Sequence, residues 1–314
     1  MQPNYIYHIQ NPNFNNIGHI IVTASLNDEH DRSAPSDYHW KVLKCRMVIF
    51  SNSSILACPD KKEIKQIHVI INNISDDYDK LNSLFMKFSL IQQGDMREVS
   101  PEKYLMCFQY TMTARLAPTW NTLGYDYLIN NRNFLSATGP QNGIKYNLSV
   151  CDTFTVMELK PVNIILIQPD DKCKPGESVR VLPSLNKAII EKYFENLPKS
   201  GCFKCYKDLR RHWKNIHGYR LSEEEPTYYT VRFWRGEPLT YPRTCLTTNF
   251  PITTPMPKSA QGLLIARFLG DVRNKMSHFL GISFIITNDD YANENIVGDG
   301  LQDTQAVSLC TPAK

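Results

Sequence analysis

The chain has 314 residues, 42% hydrophobic and 21% charged, an ordinary globular composition with room for more than one core. Its formal net charge of +4 is too mild for whole-molecule attraction to nucleic acid, so any such contact must come from a local cluster. Nine cysteines, mostly scattered singly, read as reduced thiols of a cytosolic or nuclear protein and not as a disulfide framework.

The N-terminal stretch MQPNYIYHIQNPNF has neither a basic start nor an apolar run, so no signal peptide is expected there. Residues 17–23 alternate and are rich in Ile and Val, which predicts a strand. Pro35-Ser36-Asp37 is a helix start, followed by Trp40, Leu43, Met47 and Phe50 at helical spacing on one face. Ile67, Val69 and Ile71 alternate as a second strand. Ser75-Asp76-Asp77 then caps a helix that carries Leu81, Leu84, Phe85 and Phe88 on one side.

Residues 105–168 read mostly as strands and turns, with β-rich runs at 125–129, 144–150, 154–159 and 164–167. A polar stretch, PDDKCKPGE, marks 169–183 as the linker. Beyond it, Leu185, Ile189, Tyr193, Phe194 and Leu197 fit one helical face. Residues 228–234 and 239–241 fit a hairpin turning at Arg235-Gly236-Glu237. The cleanest helical stripe runs through Ile265, Phe268, Leu269, Val272, Met276, Phe279 and Leu280, before a short strand at 282–286. No apolar run is long enough to span a bilayer, so no membrane partner and an intracellular place are expected. Strands and helices without regular alternation predict an α+β fold in two mixed lobes. The expected division is a domain at 1–168, a linker at 169–183, a second domain at 184–287 and a loose polar tail at 288–314.

One block offers concrete chemistry: CFKCYKDLRRHWKNIHGY, residues 202–219. Cys202, Cys205, His212 and His217 are four zinc-type donors, two thiolates from one Cys-x2-Cys turn and two imidazoles. The gap from Cys205 to His212 is too short for a ββα finger, and two histidines five residues apart fall off a common helical face. The competing reading takes precedence: an amphipathic helix with Leu209, Trp213 and Ile216 inward and Gly218 as its stop. The same block is basic. Lys204, Lys207, Arg210, Arg211 and Lys214, with aromatic residues between them, fit contact with a phosphate backbone. Elsewhere the sequence has no phosphate-binding Gly-rich loop, no Gly-x-Ser-x-Gly elbow and no His-Glu-x-x-His.

The run TARLAPTWN at 113–121, then Gly124 and RNFL at 132–135, resembles the conserved segment of an uncharacterised animal family. That family is named for human chromosome 18 open reading frame sixty-three and carries a domain of unknown function. VLPSL at 181–185, the block ending in RHW and HGYRL, and Thr240-Tyr241-Pro242 are similar as well, so the resemblance spans roughly residues 105–287. Residues 66–90 bear a fainter similarity to the third subunit of shieldin, a DNA-repair assembly. The resemblance implies no catalytic residues. Buried Trp120 and acid-paired Arg115 and Arg132 are the expectation for the 113–135 segment. The leading expectation is therefore a non-enzymatic interaction or scaffold protein with protein partners in a nuclear, DNA-repair or meiotic type of assembly. The alternatives are a nucleic-acid-binding module using residues 204–220, and a divergent enzyme whose site is built from separated residues.

Overall fold

A computed structural model of the chain describes residues 5–24, 36–73, 77–170, 173–199, 203–234 and 237–288. The predicted cap at Ser75-Asp76, the hairpin turn at Arg235-Gly236 and the tail beyond 288 lie outside these residues.

The fold is α+β, as the sequence predicts. Its first elements are β1 (Tyr5–Gln10), β2 (Ile17–Ala24), α1 (Asp37–Ser51), β3 (Leu56–Pro59), β4 (Gln66–Asn72), α2 (Asp77–Lys87) and β5 (Leu90–Gln92). Four of these strands form an antiparallel sheet in the order β3-β4-β2-β5. Ser36 caps α1, its side chain accepting from the backbone N–H of His39. The inward face of α1 matches the predicted one only in part: Trp40 is buried and Met47 packs against the core. Cys45, Val48 and Ile49 fill the core, whereas Leu43 and Met47 are half-buried and Phe50 is 58% exposed. Both sets have helical spacing, and the compact residues pack closer to the sheet, which leaves the aromatic ring outside.

Next come α3 (Pro101–Leu116), β6 (Asn121–Leu123), β7 (Tyr127–Ile129), β8 (Gln141–Val150) and β9 (Phe154–Ile165). Residues 105–116, expected as strands and turns, are helical. Ser100 caps α3 by accepting from Lys103 N–H, and Pro101 occupies the first turn, where its missing N–H costs nothing. This helix packs on β3, β4, β8 and another helix at once, so its buried residues surround it and no one-sided stripe shows in the sequence.

Then follow β10 (Ser178–Val181), β11 (Asn186–Phe194), α4 (Tyr206–His217), β12 (Tyr228–Arg232), β13 (Leu239–Pro242), β14 (Leu246–Thr247) and β15 (Ile252–Pro255). The helix expected from Leu185 to Leu197 is the strand β11. Its burial has a period of two, with Ala188 and Ile190 inside and Ile189 48% exposed. Strands β13-β12-β11-β10-β14 form a five-stranded antiparallel sheet, so the expected linker span contains a paired strand, β10.

The chain closes with α5 (Lys258–Lys275), β16 (His278–Phe279), β17 (Ile282–Ser283) and β18 (Ile286–Asn288). The predicted stripe is buried, but α5 stops at Lys275; Phe279 and Leu280 reach the same core from the β16–β17 hairpin. Strand β18 pairs with β1, giving the order β18-β1-β9-β8-β7-β6, and β15 pairs with β9 off this path as the seventh strand of the sheet. The largest core lies between that sheet and the helices α3 and α5. Residues from both expected domains share it, so the boundary drawn at 169–183 does not partition the packing. Among the described residues no helix is long and apolar enough to cross a membrane.

Candidate nucleic-acid interface

Helix α4 is where the sequence expected chemistry, and its placement decides which residues meet. Leu209, Trp213 and Ile216 are buried on one stripe, as predicted. Gly218 ends the helix at φ 75°, its N–H donating to the Lys214 carbonyl, a left-handed cap that favours glycine. A Cβ there would also stand 2.5 Å from the Cβ of Ala117, so glycine lets the end of α4 lie close against the segment after α3.

With α4 seated on α1, its polar face becomes one wall of a groove of about 1250 Å³. Lys207, Arg210, Arg211 and Lys214 line this wall, and Arg220 follows them. The other side carries Arg46 and Phe50 of α1, Lys87 and Phe88 at the end of α2, and Arg132 of the 113–135 segment. Among the described residues no aspartate or glutamate lines the groove, and two carboxylates touch its cations from outside. Arg210 Nη1 donates to Glu223 Oε2 at 3.2 Å, and Arg211 Nη1 stands 3.8 Å from Asp208 Oδ1. Glu223 is 80% exposed, so solvent screens that pair and its attraction is small.

Arg46 is the unusual member of the set. It is 7% exposed, its Nε has no hydrogen-bond partner, and its guanidinium lies 5.2 Å from the centre of the Phe50 ring. Burial lowers its pKa, partly offset by Tyr110 and Cys45. A buried cation held without a carboxylate is costly, and an incoming anion relieves that cost.

Four of the five predicted phosphate contacts are brought together in this groove. Lys204 is not: it lines a separate small cavity with Phe203, Cys205 and Glu225. Sequence reasoning missed Arg46, Lys87 and Phe50, which lie far from the basic block in the chain. It also assigned Arg115 and Arg132 to acids. Arg132 lines the groove, whereas Arg115 donates to three carbonyls, those of Asn52, Ser53 and Ile55, at 2.9 to 3.4 Å. Trp120 is fully buried as expected, and its indole N–H donates to Asp271 Oδ2 at 2.8 Å.

The predicted metal ligands divide differently. Cys202 lies outside the described residues. Cys205 is exposed, its Sγ 3.5 Å from Asp208 Oδ2. His212 and His217 point to the other side of α4 from the basic face, into a cavity of about 530 Å³, where a third imidazole joins them. His39 of α1 sits with its ring centre 5.2 Å from that of His212 and 6.3 Å from that of His217. Burial is the main cause that holds all three neutral. It lowers the pKa to about 4 for His39 and about 3 for His212, and well below the usual value for His217. Among the described residues no group of three or more His, Cys, Asp or Glu side chains is arranged to hold a metal ion.

A model of a family described only as a domain of unknown function, DUF4708, matches residues 4–173 and 170–255. The chain belongs to the DUF4708 family. The expected membership of a family without an assigned function is thus confirmed at that level.

Solved structures similar to this DUF4708 chain include the Marinitoga piezophila Argonaute in complex with 5′ OH guide RNA. That match has 9% identity and a TM-score of 0.36, and covers 87% of this chain and 36% of that one. The same Argonaute with guide RNA and target DNA matches at 9% identity and a TM-score of 0.35, covering 87% and 38%. Aa-Ago with externally bound siRNA matches at 9% identity and a TM-score of 0.29, covering 90% and 43%. The chain spans less than half of each, and similarity this low carries no argument about ligand or mechanism.

Proposed function

We propose that this DUF4708 protein binds the backbone of a single-stranded nucleic acid along the groove between α1 and α4. The observation that supports the reading is the lining: among the described residues it holds eight arginines and lysines from four parts of the chain and no carboxylate. Cations clustered this way release condensed counterions when they meet a polyphosphate, which is the main source of non-specific affinity. Phe50, more than half exposed in the middle of these charges, supplies a face on which a base stacks. A duplex keeps its bases stacked internally, so the exposed ring favours a single strand. The resemblance to the family of human chromosome 18 open reading frame sixty-three adds no residue to this reading. A place in a nuclear assembly is compatible with it.

The test is fluorescence anisotropy with labelled single-stranded DNA and RNA at about 100 mM salt, on the full chain and on the triple variant Lys207→Glu, Arg211→Glu, Lys214→Glu. Three charge reversals are expected to weaken binding by about 100-fold or more, since each alters at least one phosphate contact. Equal affinity of the two proteins would refute the groove as the binding surface. All three side chains lie on the polar face of α4, so the variant keeps the buried stripe intact.

A further inference from the structure

Arg46 lines two cavities. One is the basic groove; the other has a volume of about 260 Å³. This second cavity is bordered by Tyr38, Tyr110, Tyr125, Tyr146, Lys61 and Gln109. Tyrosine at four positions is an unusual density for a surface cleft, and it has two structural sources. Tyr146 and Tyr110 come from β8 and α3 and form the inner wall. Tyr38 and Tyr125, at the start of α1 and in the β6–β7 turn, are 53% and 68% exposed at the edge. Lys61 sets its ammonium 5.5 Å from the Tyr125 ring.

A planar heterocycle that covers the face of a large exposed tyrosine displaces its hydration at little entropic cost, and Lys41 Nζ, 5.5 Å from the Tyr38 ring, leaves that ring half exposed. The polar groups define what else such a ligand carries. Arg46 borders the cavity, is more than nine-tenths buried, and has no carboxylate partner among the described residues, so an anion seated beside its guanidinium gains a charge-assisted contact that the protein itself does not supply. Gln109 spends its amide N–H groups on the Tyr125 carbonyl at 3.1 Å and the Tyr146 hydroxyl at 3.0 Å. Its carbonyl oxygen remains as an acceptor for an amine on the ring. A flat ring with an amino group, joined to an anion, is the chemistry of a nucleotide. At about 260 Å³ the cavity sits just under the range of ~300 Å³ and above that holds drug-sized ligands, room for one such unit.

We infer that this cavity is a nucleotide seat, which stacks one base on Tyr38 and Tyr125 and takes its phosphate on Arg46. This deepens the groove reading and rests on it for the polymer: because Arg46 borders both spaces, a strand lying in the groove places its terminal nucleotide in the seat. The seat itself needs no polymer and is tested with a mononucleotide.

The experiment titrates the full chain with adenosine 5′-monophosphate and with adenosine by calorimetry, beside the double variant Tyr38→Ala, Tyr125→Ala. Both tyrosines are mostly exposed, so the variant folds; matched unfolding curves verify it. The monophosphate is expected to bind the native chain, adenosine at least about 10-fold more weakly because it lacks the charge-assisted contact. The double variant is expected to lose about 10-fold or more, the usual scale for removing a stacking partner. Absence of monophosphate binding, equal binding by the double variant, or equal affinity for adenosine would each overturn the seat. The groove stands or falls separately. Oligonucleotide binding without monophosphate binding removes the seat and keeps the groove, and monophosphate binding without oligonucleotide binding keeps the seat and removes the groove.

Discussion

Arg46 on α1 is packed against Gly218 at the end of α4: a Cβ on that glycine would lie 3.3 Å from the arginine Nη2 and 2.5 Å from Ala117 Cβ. The helix stop and the buried cation are thus one piece of packing. Gly218→Ala must strain a backbone at φ 75° and also push aside either the 113–121 segment or the guanidinium. A loss of about 2 kcal/mol in urea unfolding is expected. Binding of single-stranded DNA should weaken along with it, because Arg46 moves. Unchanged stability would mean that α4 shifts freely, and the groove would then lack a fixed wall.

Salt titration reads the number of phosphates held. For single strands the slope of log K against log salt changes by about 0.7 for each neutralised phosphate. Lys214→Ala and Arg132→Ala, from opposite sides of the groove, should each lower the slope by about that amount. Phe50→Ala should weaken binding, by about 1 to 3 kcal/mol if one base stacks there, and leave the slope unchanged. A slope change for Phe50→Ala would place that ring on the wrong side of the division between stacking and charge.

Arg115 shows a structural use of the same residue type. Its guanidinium, 8% exposed, donates to the carbonyls of Asn52, Ser53 and Ile55 and tethers the end of α1 to the start of β3. Arg115→Met keeps most of the volume and orphans those carbonyls. About 3 kcal/mol or more of stability should be lost. Urea unfolding gives the midpoint and the slope m. An unaltered midpoint would show that water replaces the guanidinium at no cost.

Parts of this fold were legible in the sequence because one face of an element met solvent. Strands β2 and β4, α5 and the β12–β13 hairpin announced themselves through periodicity. Helix α3 did not, because beside the Tyr104, Cys107, Phe108, Met112 and Leu116 face the apolar Leu105, Met106 and Tyr110 also pack against the core and all of Thr111 to Leu116 is buried, so the apolar residues extend round the helix and blur the stripe. Strand β11 misled for another reason: Leu185, Ile189 and Tyr193 fit a period of four as well as of two, and only sheet pairing chose between them. The basic face of α4 was readable as a local charge cluster. Arg46, Phe50, Lys87 and Arg132 were not, since nothing in chain order joins them before α1 packs on α4. His39 was missed beside His212 and His217 for the same reason.

Thiol labelling checks the placement of the cysteines. Cys45, Cys58, Cys107 and Cys245 are buried, whereas Cys151 and Cys205 are exposed. Burial raises the thiols of Cys45, Cys107 and Cys245, which lowers their thiolate fraction as well as their access. A brief maleimide pulse at neutral pH, read by peptide mass spectrometry, should mark Cys151 and Cys205 and leave those four unlabelled until denaturant is added. Rapid labelling of Cys107 would contradict the packing of α3 on β3, where its Sγ stands 3.4 Å from that of Cys58.

The buried histidines set the response to acid. The pKa of His39 is lowered from 6.5 to about 4 and that of His212 to about 3, with burial the first cause in both. Burial also lowers His19 to about 4, with His68 adding to the effect across a 2.9 Å contact. In each case the unfolded chain takes up its proton near pH 6.5, whereas the folded chain refuses it until the pH is two units lower or more. The unfolded state therefore binds more protons in that window, and stability rises with pH. The contribution is fully present above about pH 6.5 and is lost progressively as the pH falls toward 4. Around the 530 Å³ cavity, His39, His212 and His217 face one another, with Arg46 adding to the cost of charging His217. Glu191 and Glu237 line the same cavity, but Glu191 is already paired with Arg232. Urea unfolding at pH 7.5, 6 and 5 should show a steady loss, and His212→Asn should flatten the curve by removing one of the refused protons. A stability that rises on acidification to pH 5 would mean that these imidazoles are charged in the folded state.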